Sequence, residues 1–124
     1  MADIKKILII DDDIDFREQA KIVLETEHYQ VLEAEDGTTG LKLIKQENPD
    51  FILLDVMMEE VDTGVKLAED IAALKTKAPV VILSSFANAS KQVFDTNAVP
   101  VKEYLQKPLK SDQLVAVVRR YTEK

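Results

Sequence analysis

Apolar runs alternate five times with amphipathic stretches along this chain. The segments KKILIID, QVLEAE, DFILLD, PVVILSS and VKEYLQ have the length and residue types of strands. The first, third and fourth are almost continuously apolar, the pattern of strands with both sheet faces covered. Between them apolar residues recur at helical spacing. Phe16, Ala20 and Val23 share one face, Leu41 and Ile44 another, Ala68, Ile71 and Leu74 a third, and Leu114, Val117, Val118 and Tyr121 a fourth. The segment NASKQVFDTNAV, with Val93 and Phe94 as its main apolar residues, predicts the remaining helix from the weakest periodicity.

The punctuation agrees. Asp15 and Glu18 have the spacing of a capping box at the start of the first helix, Asp13 reads as a solvated loop acid, and Ser111 is placed to cap the last helix. Pro49, Pro79 and Pro100 each fall just before a strand, where they end the preceding helix. Neither repeats nor an internal linker interrupt the pattern. The expectation is a single α/β domain over residues 1–124, a (βα)5 doubly wound parallel sheet. Ligands of such sheets sit beyond the carboxyl ends of the strands, where the strand order reverses. An order of 2-1-3-4-5 makes the first and third strands neighbours at that point.

Composition narrows the chemistry. The 124 residues include no cysteine, which excludes disulfides and thiol catalysis, and one histidine, His28, which excludes a cluster of imidazoles. His28 itself reads as a surface loop residue. A net charge of −7 argues against direct nucleic-acid binding through a broad basic face. Arg119, Arg120 and Lys124 read as cations suited to a helix carboxyl end. No apolar run approaches the ~20 residues of a membrane span, and no signal-peptide pattern precedes Ile4, so no membrane partner and a cytoplasmic location are expected.

Against this background the stretch ILIIDDDIDF stands out, because a buried strand runs straight into Asp11, Asp12 and Asp13. Two carboxylates ~4 Å apart repel by about 4 kcal/mol at an effective dielectric of ~20, so something positive should offset them. Three further polar positions fall at strand ends: Asp55 in FILLDVMM, Ser84 in VVILSSF, and Lys107 before Pro108 in YLQKPL.

These features, in this order, resemble the receiver domain of two-component response regulators, stand-alone chemotaxis-type receivers among them, over essentially the whole chain. The resemblance implies a flavodoxin-like fold and a phosphoacceptor switch. Asp55 would accept a phosphoryl group from a sensor histidine kinase or phosphotransfer protein. Mg²⁺, with Mn²⁺ as an alternative, would be held by Asp12, Asp55 and the backbone carbonyl of Met57, with Asp11 acting through water. Lys107 would pair with Asp55 and then with a phosphoryl oxygen. Ser84 and Tyr104 would form the switch that signals to the face made by the fourth helix, fifth strand and fifth helix. The downstream side is a protein target or a missing output domain, and the oligomeric expectation is a monomer or weak dimer. Such a domain catalyses at most its own phosphorylation and dephosphorylation.

The chain departs from the family pattern in places. In DVMMEEVDTG, Glu59 stands where a proline is common and the loop is one residue longer before Gly64; Pro100 lies where a small Gly-Ala pair is common, and Ser85 where alanine or glycine is. Met57 and Phe86 occupy positions that line the path of the hydrolytic water in the family, and this apolar pair predicts slow autodephosphorylation. Two other functions remain open: a phosphoaspartate-forming phosphatase of the haloacid-dehalogenase type, and a receiver-shaped binding module that is not phosphorylated. The first wants an Asp-x-Asp-x-Thr motif that IIDDDID lacks. A calcium-binding EF-hand loop fails as well, since Phe16 and Ile22 occupy its glycine and glutamate positions.

Overall fold

A computed structural model describes residues 4–56, 69–71, 73–74, 76–84, 101–106 and 109–122. Its elements run β1 (Lys6–Ile10), α1 (Ile14–Thr26), β2 (Gln30–Ala34), α2 (Gly37–Glu47), β3 (Phe51–Val56), β4 (Val80–Ser84), β5 (Val101–Gln106) and a C-terminal helix (Ser111–Thr122). The strands form one parallel sheet, as the alternating pattern predicts, in the order β2-β1-β3-β4-β5 that goes with the receiver resemblance. The weakly predicted helix in NASKQVFDTNAV and the DVMMEEVDTG loop after Val56 lie outside the described residues, as does Pro100.

Strand alternation sorts the core into two layers. Leu8, Ile10, Ile52, Leu54, Val80 and Ile82 pack on one face with Ile44 of α2 and with Ile71. Ile7, Ile9, Phe51, Leu53, Val81 and Leu83 pack on the other with Ala20 and Leu24 of α1 and Leu114, Val117 and Val118 of the C-terminal helix. Burial on both faces is why these strands read as unbroken apolar runs. On α1 Ala20 and Leu24 are buried and half-buried Phe16 packs against the same cluster, so the predicted face holds at Phe16 and Ala20, with Leu24 rather than Val23 as its third member. The α2 layer comes very near β1: a Cβ on Gly40 would stand 2.5 Å from Ile10 Cδ1.

The caps differ from the predicted ones. Asp13, not Asp15, caps α1: its carboxylate accepts the Asp15 and Phe16 backbone N–H groups at 3.0 and 3.3 Å. Asp15 belongs to the first helical turn. At the C-terminal helix, Ser111 is the first helical residue and Lys110 takes the cap position. The Lys110 carbonyl accepts from the Leu114 N–H, and its own N–H donates to Gln113 Oε1 at 3.0 Å. Asp36 caps α2 through the Thr39 N–H at 2.8 Å, and hydrogen bonding from Thr39, its backbone first, holds the carboxyl below the usual range. Asn48 closes α2 in the left-handed region at φ 49°, and Pro49 follows it. His28, exposed as expected, takes φ 71° in the turn before β2.

The amino ends of β1 and β3 are fastened together. Asp50 Oδ2 accepts the Lys6 N–H at 2.8 Å, and the Asp50 N–H donates to the Lys6 carbonyl at 2.8 Å. Between β4 and β5 the register shifts at Val80/Val81, where Lys102 is the extra residue.

Candidate functional site

Register assembles the site. Ile10 pairs with Leu54, so the next residues, Asp11 and Asp55, stand level at the carboxyl edge of β1 and β3. On β4 the partner of Asp55 is Leu83 and that of Val56 is Ser84; Ser84 in turn pairs with Gln106 of β5. Three neighbouring strands therefore bring Asp11, Asp55 and Ser84 to one sheet edge, at the reversal of strand order.

Asp11, 3% exposed, is the one charged residue counted as buried among those described. Its surroundings hold it on three sides. Its N–H donates to the Ala34 carbonyl at 3.0 Å, and its Oδ1 accepts the Asp13 N–H at 2.9 Å. Its carbonyl accepts Arg17 Nη1 at 2.6 Å. Asp12 is exposed beside it, and Asp55 is intermediate with its Oδ1 buried. Asp11, Asp12 and Asp55 each offer a carboxylate oxygen within 4.8 Å of the others.

The donor set suits a small hard cation. Octahedral Mg²⁺ at 2.0–2.1 Å spans about 4.2 Å between opposite oxygens, which lies within the 4.8 Å upper bound of this cluster. Asp11 Oδ1 is engaged with the Asp13 backbone N–H, which fixes the carboxylate beside those of Asp12 and Asp55. Three carboxylates with no imidazole or thiolate favour magnesium or manganese over zinc or copper.

Of the remaining predicted site residues, Ser84 ends β4, and Tyr104 lies in β5 paired with Ile82. Met57, Phe86 and Lys107 lie outside the described residues. The sequence reading missed Arg17 and Glu33. Arg17 Nε donates to Glu33 Oε1 at 3.2 Å, and Lys21 Nζ stands 3.9 Å from Glu33 Oε2. The only signal was a basic residue one turn into α1, which needs β2 beside α1 to mean anything.

The family model of the response regulator receiver domain matches residues 7–119. The chain belongs to the response regulator receiver family. This receiver is 35% identical over 119 residues to the transcriptional regulatory protein CseB of Streptomyces coelicolor, covering 96% of this chain and 50% of that one. It is 32% identical over 114 residues to the response regulator MprA of Mycolicibacterium vanbaalenii, covering 92% and 48%. The receiver thus spans about half the length of these curated relatives. Among solved structures it superposes on the chemotaxis protein CheY4 of Vibrio cholerae with TM-score 0.84 and 25% identity, covering 96% and 99% of the two chains. A CheY-like receiver domain from Methanospirillum hungatei gives TM-score 0.82 and 27% identity, covering 95% and 93%.

Family membership makes this a response regulator receiver of a two-component system, a signalling domain rather than a metabolic enzyme. Receivers bind Mg²⁺ through acidic residues and work with histidine kinases or phosphotransfer proteins; the acidic cluster here is of that kind. Among the described residues no helix is long and apolar enough to cross a membrane.

Proposed function

We propose that this receiver is a Mg²⁺-dependent phosphoacceptor switch in which Asp55 takes the phosphoryl group. The observation that supports this most is the convergence of Asp11, Asp12 and Asp55 within 4.8 Å at the strand-order reversal. A carboxylate oxygen of Asp55 attacks phosphorus and forms an O–P bond. The P–N bond to the donor's phosphohistidine breaks, and the departing imidazole keeps the electron pair and picks up a proton. Both reactants are anionic, so the barrier is governed by position and charge neutralisation. Bound Mg²⁺ supplies positive charge between the carboxylates and the incoming oxygens. Asp12, Asp55 and the Met57 carbonyl would hold it directly, and Asp11 would act through water.

Lys107, directly after Gln106 in the chain, would pair with Asp55 and then with a phosphoryl oxygen. The Ser84 hydroxyl would bond the phosphoryl group, and Tyr104 would relay the change to the surface of β5 and the helices beside it. Partners on this reading are a histidine kinase or phosphotransfer protein on one side and a protein target or output domain on the other. Residues 1–124 would form one domain, and its location would be cytoplasmic.

The deciding experiment incubates the protein and Asp55→Ala with acetyl phosphate and Mg²⁺ and reads intact mass. One phosphoryl group gained by the parent, dependent on metal and absent in the variant, supports the switch. No gain would leave a receiver-shaped binding module. Continued release of inorganic phosphate from an external phosphomonoester would instead favour a phosphatase.

A further inference from the structure

The turn that joins β1 to α1 holds two of the three clustered acids. Arg17 binds it twice. Its backbone N–H donates to the Asp13 carbonyl at 3.1 Å, and its Nη1 donates to the Asp11 carbonyl at 2.6 Å. A second edge of the same guanidinium, through Nε, holds Glu33 Oε1 on β2 at 3.2 Å. The Arg17 and Glu33 side chains are only 12% and 29% exposed, so the pair is partly withdrawn from water. Lys21 stands behind Glu33, with Nζ 3.9 Å from Oε2.

The carbonyls on either side of Asp12 are therefore both hydrogen-bonded to Arg17. Asp12 itself is exposed. The orientation of its carboxylate depends on the two peptide units that flank it: Arg17 Nη1 holds the Asp11 carbonyl of the first, and the Asp13 N–H of the second donates to Asp11 Oδ1. We infer that Arg17, oriented by Glu33, is a positioning residue that aims the Asp12 carboxylate into the acidic site, through a fork that only a guanidinium can supply. This deepens the magnesium reading above and rests on it. An ammonium cannot bond two acceptors at fixed angles as a planar guanidinium does.

Charge and geometry predict opposite signs here. Arg17 is a cation near a cation site, so by electrostatics alone its loss should tighten Mg²⁺ binding. As a positioning group, its loss should weaken binding. The experiment titrates Mg²⁺ into the full chain, following backbone amide shifts by NMR, with thermal melting in the absence of metal as a fold control. Arg17→Ala is expected to weaken Mg²⁺ binding about 10-fold, the low end of what outer-shell partners of metal ligands contribute. Arg17→Lys, which keeps the charge and loses the fork, is expected to weaken binding about 3-fold or more.

Binding by a folded Arg17→Ala that is unchanged or tighter would overturn the inference. So would Arg17→Lys behaving as the parent, and that variant decides the matter if the alanine variant does not fold. If the parent itself binds no Mg²⁺, the phosphoacceptor reading fails and this inference falls with it. If the parent binds and both variants bind equally well, only the role of Arg17 is lost.

Discussion

Ile10 and Leu54 are partners across β1 and β3, and that pairing makes neighbours of two acids far apart in sequence, Asp11 and Asp55. Neither strand end could slip by one residue without turning its aspartate onto the opposite sheet face. The acidic cluster is thus a product of register. Its position is secured by the apolar residues that precede it, all within a few per cent of full burial.

The same cluster has a cost without metal. Carboxylate oxygens within 4.8 Å repel, and exposure of Asp12 reduces that repulsion by screening to about 1 kcal/mol. Asp12→Asn should therefore melt about 3–5 °C higher than the parent in EDTA. It should also lose most of the stabilisation that Mg²⁺ gives the parent. Thermal unfolding with and without Mg²⁺ measures both; a lower metal-free melting temperature for the variant would contradict the arrangement.

The cap of α1 separates two adjacent acids. Asp13→Ala removes the acceptor for the Asp15 and Phe16 N–H groups and is expected to cost about 1 kcal/mol. Asp15→Ala should cost only a few tenths, the loss of one favourable charge in the first turn. Urea unfolding of the two variants tests the assignment, and the reverse ranking would restore Asp15 as the cap.

Those two residues also mark what the sequence could and could not convey. The strands β1, β3 and β4 were legible because burial on both faces leaves an apolar run, and Asp55 and Ser84 were legible as polar residues that end such runs. The cap was not, because Asp11, Asp12, Asp13 and Asp15 supply several candidates and only backbone geometry picks among them. On α1, Phe16 and Ala20 face the core as expected, but Leu24 takes the inward place expected of Val23; both fit a helical stripe, and the packing of neighbouring elements chooses between them. Arg17 and Glu33 became visible only once β2 lay beside α1. The family resemblance added roles for Lys107 and Met57 that no local pattern contains.

The C-terminal helix offers a pH-dependent test. The Tyr121 hydroxyl donates to Glu103 Oε1 at 2.9 Å, and Arg120 also bonds Glu103. Burial first, and the bond to Glu103 second, push the Tyr121 phenol above its ordinary value. The folded state then holds this proton more tightly than the unfolded state, whose phenol titrates near ~10. Its stabilisation is complete below pH ~10 and is lost as pH rises through the higher folded value. Tyr121→Phe should be about 1 kcal/mol less stable than the parent at pH 8. Urea midpoints at a series of pH values should show that gap closing above pH ~10. A gap that is constant up to pH 11.5 would dismiss the hydrogen bond as its source.

Gly40 tests the approach of α2 to β1. Alanine is the better helix former by about 1 kcal/mol, yet its methyl would meet buried Ile10 at 2.5 Å. Gly40→Ala is expected to destabilise by about 1–3 kcal/mol, the usual range for overpacking. Ile10→Val removes the methyl that is struck, so the double variant should recover part of the loss in a double-mutant cycle. Additive effects would place the clash elsewhere.

The two-point tie between Lys6 and Asp50 has a mechanical meaning. It pins β1 against β3 at the end away from the acids, and the paired residues from Ile7–Phe51 to Ile10–Leu54 carry that alignment up to Asp11 and Asp55. Repulsion between the two carboxylates therefore cannot slide one strand along the other. Whatever neutralises them meets a pair of acids whose alignment is already set.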